Sequence, residues 1–393
     1  MHAAVLKASI LLGDLAVAGG IVALTNWLAL IPFRRAREKH WTERARKLYP
    51  ARVAAVSSIW VVPADLVFGQ ELLWPGATPH WLLAGFACWV GAMAGTYFFD
   101  HEVYPWITPQ DWLHQALANW TLRFAWCLFF LVVIAAMPDV LDWRAWALSG
   151  ALIAAYVVWA WGGLVWCCGR LRLLKPPSER LKRLVAEVSA KLNISSPRVW
   201  LLKSPAAAAF ALPYSRDLFF SERLLSLHSD DEVASICAHE LGHLGESKAA
   251  LAGRFLGALA FLPWAFLKPL RHLLGEWVYA VALLGLTSFI FLRLAKRLSR
   301  RLETRADSIA QANEGQSGTY ARALARLYEE NLLPAVLPRR RHTHPDLYDR
   351  LLAVGVQPDY QRPEPPNPAT YHGILLMLLF VILIMLRFIY KFG

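Results

Sequence analysis

Apolar residues run along this chain in long unbroken blocks, and those blocks set the first expectations for its fold. A helix that crosses a membrane needs about 20 mainly apolar residues. Blocks of that kind lie at roughly 8–32, 53–74, 81–99, 122–138, 146–168, 254–268, 276–294 and 371–390, which predicts about eight spans. The sixth is short, and with the seventh it reads as a hairpin turning through Lys268 to Glu276. The first is longer than the apolar core of a signal peptide, contains Asp14 and runs into a basic segment, so it reads as a retained span. Trp27, Trp74, Trp81, Trp120, Trp146, Trp166 and Trp277 sit near the ends of these blocks, where amphipathic rings favour the interface.

Between the blocks the pattern changes. Leu181, Leu184, Val185 and Val188 recur at helical spacing and predict an amphipathic helix over Glu179 to Leu192. Arg198 to Leu202 reads as a strand, and apolar runs at 206–212 and 218–220 flank a hairpin turn at Pro213 to Asp217. Ser229-Asp230-Asp231-Glu232 is a capping box, with acidic residues at the positive end of the helix it opens. A proline-rich linker, Arg362 to Pro368, leads into the last span. The expected division is a five-span bundle (1–168), a first polar part (169–253), a membrane hairpin (254–294), a second polar part (295–370) and a final span (371–393).

Composition agrees: 56% of the 393 residues are hydrophobic and 18% charged, against about 25% charged in an ordinary soluble domain. Mean hydropathy is +0.35. The net charge of +12 does not form a contiguous recognition segment, so no nucleic-acid partner is expected. Its basic residues flank the spans instead, from Arg34 to Arg52, Arg170 to Arg183 and Arg293 to Arg301. With the amino terminus outside, all three segments fall inside, and both polar parts face the cytoplasm. The five cysteines, Cys88, Cys127, Cys167, Cys168 and Cys237, are odd in number and lack a CxxC spacing, which argues against a disulfide framework or a cysteine zinc site. Asp14 and Asp65 interrupt apolar blocks; they either line a wet cavity or sit near the interface and pair.

Candidate chemistry lies on the capped helix, in His239-Glu240-Leu241-Gly242-His243. Residues four apart share a helix face, so both imidazoles can reach one zinc ion, with Glu240 beside them to accept a proton from water. A catalytic zinc needs a third protein ligand and an open position. Glu246 is near in sequence, but three ligands from one straight helix rarely converge. Glu303, beyond the predicted hairpin, is favoured, with Asp307 one turn later able to hold a ligand histidine from behind. The expected fold is therefore mainly α: a polytopic helical membrane protein with a cytoplasmic α+β, zincin-like catalytic domain.

His239-Glu240-x-x-His243, a hydrophobic hairpin, Glu303-x-x-Ala306-Asp307 and Thr343-His344-Pro345-(x)4-Arg350 together resemble the membrane gluzincin metallopeptidases, the family of the CAAX prenyl-protein proteases and the bacterial HtpX-type quality-control proteases. Ala208-Ala209-Phe210-Ala211 is similar to that family's Asn-Ala-Phe-Ala edge strand, with Ala208 where the family has Asn. The resemblance implies one zinc per chain held by His239, His243 and Glu303, with Glu240 as general base and Asp307 behind a ligand. It also implies His344 and Arg350 at the oxyanion, and Ala209, Phe210 and Ala211 along the substrate. It further implies protein or peptide substrates that are membrane-associated, lipid-modified or misfolded, in a bacterial inner or plasma membrane. The competing expectation is a non-catalytic scaffold or transport-like membrane protein with a structural metal site.

Overall fold

The computed structural model describes residues 2–73, 81–123, 125–338, 346–367 and 369–392. Four of its helices are long and apolar enough to cross a membrane: Val5–Arg34, Trp41–Leu73, Trp143–Arg170 and Val278–Asn313. A bent pair, Lys248–Ala258 and Leu262–Leu274, turns by 40° at a short break and makes a fifth if taken as one span. Among the described residues, then, four or five helices meet the requirement where the apolar blocks predict about eight. Within the blocks at 81–99 and 122–138 the described residues include the helical segments Trp81–Gly95 and Ala125–Ala136. The final block lies within the 22-residue helix Tyr371–Phe392. Trp74 and the side chain of Cys127 lie outside the described part.

The helix beginning at Trp41 starts well before the apolar block at 53. Its first turns are buried through Trp41, Ala45 and Leu48, against Leu332, Leu347 and Leu351 of the second polar part. Arg52 donates to the carbonyls of Asn331 (2.6 Å) and Leu332 (3.1 Å), just past the end of helix Thr319–Glu330. A cation there is favoured by the helix dipole. Arg52 thus joins the membrane bundle to the polar domain. Deeper in the bundle Asp14 accepts from Gln70 and not from Asp65, and both carboxylates are buried.

The polar domain contains one four-stranded sheet, with β1 Leu174–Lys175, β2 Arg198–Leu202, β3 Ala209–Leu212 and β4 Asp217–Ser221 in the order β1-β2-β4-β3. β3 and β4 are the predicted hairpin, in antiparallel register with Phe210 opposite Phe219, and β3 stands at the sheet edge. The amphipathic helix forms over Glu179–Lys191 and buries its four predicted apolar positions against Val233, Ile236, Cys237 and Leu241 of helix Asp230–Leu244. The capping box of that second helix is complete: the Ser229 amide donates to Glu232 (3.0 Å), and the Glu232 amide donates to the Ser229 hydroxyl (3.4 Å).

The boundaries expected at 253/254 and 294/295 both fall inside helices. The return arm of the hairpin is one 37-residue helix, Trp277–Asn313, about 55 Å long at 1.5 Å per residue. That exceeds the roughly 30 Å hydrocarbon core, so the same helix can leave a bilayer and continue into the polar domain. It meets helix Asp230–Leu244 at Gly242. A β-carbon there would lie 3.2 Å from the Ala306 Cα and 3.3 Å from the Ile309 Cδ1, so only glycine allows this approach without displacement. Gly242→Val is expected to force these helices apart and cost about 1–3 kcal/mol, read as a lower midpoint of thermal unfolding in detergent. An unchanged midpoint would contradict this packing.

Candidate metal centre

Helix Asp230–Leu244 is buried over nearly its whole length because it passes between the amphipathic helix and the long return helix. Val233, Ile236, Cys237, Leu241 and Leu244 take the apolar side. The histidines, four residues apart, face Trp277–Asn313, with ring centroids 5.0 Å apart and planes at 85°. That long helix contributes Glu303, in a row of buried positions with Leu302, Ala306, Asp307 and Ala310.

The Nε2 atoms of His239 and His243 lie 3.5 and 3.6 Å from the Glu303 Oε2. One donor atom from each of the three residues falls within 4.8 Å of the others. The carboxylate beyond the hairpin is therefore the one brought between the rings. Glu246 instead lies behind His243, its Oε1 2.9 Å from Nδ1, because the helix ends at Leu244 and the chain turns at Gly245.

Each imidazole is held through its other nitrogen. Tyr320 donates to the Asp307 Oδ1 (2.8 Å), so its oxygen accepts from the His239 Nδ1 at 2.7 Å, with the Asp307 Oδ1 also 3.1 Å from that nitrogen. On His243 the Nδ1–H donates to Glu246. With the outer nitrogens so engaged, each Nε2 faces Glu303 and is the nitrogen that a metal would take on losing its proton. Two neutral imidazoles and a carboxylate are a donor set suited to zinc.

Burial disfavours charge on these histidines, but bonds from Asp307 and Glu303 push His239 up to about 9, and bonds from Glu246 and Glu303 push His243 up to about 9. Without metal the rings therefore hold protons that a bound cation must displace. Burial raises Glu240 above the ordinary carboxylate range, with the Ala211 amide among the groups opposing it. Glu246 stays below its usual range: burial alone would raise it, and the bonds from His243 and Arg254 outweigh that.

A cavity of about 260 Å³ opens beside the three donors, bordered by Glu240, by Arg254 and by Ala209, Phe210 and Ala211 of β3. Phe210 stacks on Phe219 with ring centroids 4.7 Å apart, which fixes the edge strand against the sheet. Arg350, expected at the scissile carbonyl, is buried behind His239 and is not among the residues bordering this cavity. Its Nη2 donates to the Asp307 Oδ1 (2.5 Å) and the Tyr320 hydroxyl (3.0 Å), because that buried carboxylate needs a counter-charge. His344 lies outside the described residues.

No sequence motif assigns a role to Tyr320 or Arg254. Tyr320 stands on an amphipathic helix with no distinguishing spacing, whereas Arg254, eight residues after Glu246, could have been sought as its counter-ion. Replacing Arg350 by Ala strips Asp307 of its cation and is expected to cost about 3–5 kcal/mol of stability, measurable as a lower unfolding midpoint. An unchanged midpoint would count against the pairing.

Residues 176–355 match the family model for Peptidase family M48. Protease HtpX of Hahella chejuensis is 24% identical over 214 residues, covering 49% of this chain and 71% of that protein. Protease HtpX of Stutzerimonas stutzeri is 28% identical over 225 residues, covering 47% of this chain and 76% of that protein. The probable CAAX prenyl protease 1 of Schizosaccharomyces pombe is 25% identical over 238 residues, covering 51% of this chain and 50% of that protein. The family match, residues 176–355, spans the part of the chain that carries both histidines and Glu303, and over that part the chain is similar to peptidase family M48.

Proposed function

We propose that the protein is a membrane-embedded zinc endopeptidase that holds one zinc per chain and hydrolyses peptide bonds in membrane-associated, lipid-modified or misfolded proteins. One observation carries the reading: Glu240 and three zinc-type donors border a single cavity beside an edge strand. His239, His243 and Glu303 would hold the ion, which supplies Lewis acidity to activate a water and polarise the scissile carbonyl. Glu240 takes the proton of the attacking water and passes it to the leaving amine. Its raised affinity for protons suits that exchange. An extended substrate pairs with the outer edge of β3, through Ala209, Phe210 and Ala211, and so lies across the cavity.

Asp307, Tyr320 and Arg350 keep His239 in the ligating tautomer. His344 is assigned to the oxyanion on the family resemblance. The basic residues flanking the apolar blocks support a cytoplasmic catalytic part in a bacterial inner or plasma membrane. The lipid-modified and misfolded substrate classes come from the CAAX and HtpX-type relatives. A structural zinc would be closed by four protein ligands. The three-residue donor set beside a cavity favours turnover over a scaffold.

Glu240→Gln is expected to keep full zinc content while peptide cleavage falls about 10²–10⁴-fold or more. Chelation should abolish wild-type cleavage and zinc should restore it, followed with a quenched peptide and metal analysis of the same samples. Wild-type cleavage by Glu240→Gln would contradict the proposal.

A further inference from the structure

Each metal-facing imidazole is backed by a carboxylate that is itself held by a guanidinium. Behind His239 the pair is Asp307 and Arg350. Behind His243 it is Glu246 and Arg254, residues to which neither the sequence motifs nor the resemblance gives a role. We propose that Glu246 and Arg254 are positioning residues for His243, and that through Arg254 the first arm of the hairpin takes part in holding the metal site. The proposal rests on the zinc reading above.

Arg254 grips Glu246 with two bonds, Nε to Oε2 at 2.7 Å and Nη2 to Oε1 at 2.6 Å. A fork of this kind fixes the plane of the carboxylate, which a single contact would leave free to turn. The Oε1 it fixes is the atom 2.9 Å from the His243 Nδ1. The Glu246 side chain is only 1% exposed, so water does not compete for this geometry. A lysine could supply the charge but not the fork.

Arg254 belongs to helix Lys248–Ala258, the first half of the bent pair. Gly253 and Gly257 flank it and seat that helix on the return helix. A β-carbon at Gly257 would lie 2.7 Å from the Ala295 Cβ, and one at Gly253 would lie 2.5 Å from the Leu298 Cδ2. Close approach through small residues is a usual way for helices to associate in a bilayer. The return helix carries Glu303. The two arms therefore act on the donor set from two directions, one directly through Glu303 and the other through Arg254, Glu246 and His243. Tyr214, at the β3–β4 turn, donates to the Leu251 carbonyl (2.9 Å) and ties the edge strand to the same arm.

The test is zinc affinity of the full chain in detergent, measured by competition with a chromogenic chelator, with cleavage followed across a zinc titration. Glu246→Ala is expected to weaken zinc binding about 10–100-fold while Glu240→Gln keeps wild-type affinity. Arg254→Ala should also weaken it, Arg254→Lys should recover only part, and the double variant should lose less than the product of the two single losses, because Arg254 acts mainly through Glu246 beside its own 3.2 Å approach to the His243 Nδ1. Cleavage by Glu246→Ala should rise as zinc is raised. Affinity within about twofold of wild type for Glu246→Ala, or independent losses that multiply in the double variant, would overturn the proposal. If Glu246→Ala does not fold, Glu246→Gln decides: it fills the same space without the charge that holds Arg254, and about tenfold weaker binding supports the proposal while equal binding overturns it. A wild-type chain that binds no zinc would instead overturn the metal reading, and this proposal with it.

Discussion

Several ionisable groups share a buried pocket at the meeting of two helices, and such a collection is costly to fold unless each charge has a partner. His239, His243 and Glu303 approach within 4.8 Å, with Glu240 on the rim of the same cavity. Asp307 and Glu246 satisfy the outer nitrogens of the rings, and Arg350 and Arg254 balance those carboxylates. What remains turned inward is two imidazole nitrogens and a carboxylate, groups whose close approach is best compensated by a cation. The glycine at 242, the buried alanines at 306 and 310 and the complete capping box all serve that convergence.

The hairpin between the second histidine and Glu303 has a mechanical consequence. Because Trp277–Asn313 is uninterrupted, the position of Glu303 is tied to the apolar half of the same helix. The opposite arm begins five residues after His243 and packs back on the return helix through Gly253 and Gly257. Further ties come from Arg52, which joins the helix Trp41–Leu73 to the end of helix Thr319–Glu330, the helix whose first turn carries Tyr320. Apolar and catalytic parts are thus one mechanical unit, though they alternate along the chain.

Much of this was legible in the sequence because the signals are local. The His239/His243 spacing, the Ser229 box and the turn between β3 and β4 each depend on a few neighbouring residues, and each forms over the expected positions. Choosing Glu303 over Glu246 needed only the argument that one straight helix cannot supply three converging ligands. Apolar blocks proved a coarser guide. They record hydrophobicity but not where a helix bends, so 254–268 becomes part of a bent pair. The pairing of Arg350 with Asp307 had no signal in the sequence, which cannot tell which of several nearby charges a buried arginine must neutralise. Tyr320 was invisible because a tyrosine on an amphipathic helix carries no spacing signal.

X-ray absorption at the zinc edge of the purified full-length protein tests the convergence most directly. The expected spectrum has only nitrogen and oxygen neighbours, with the outer-shell scattering of two imidazoles, and it loses an oxygen neighbour when Glu303 is replaced by Ala. Sulfur neighbours, a single imidazole, or a spectrum indifferent to Glu303 would contradict the account.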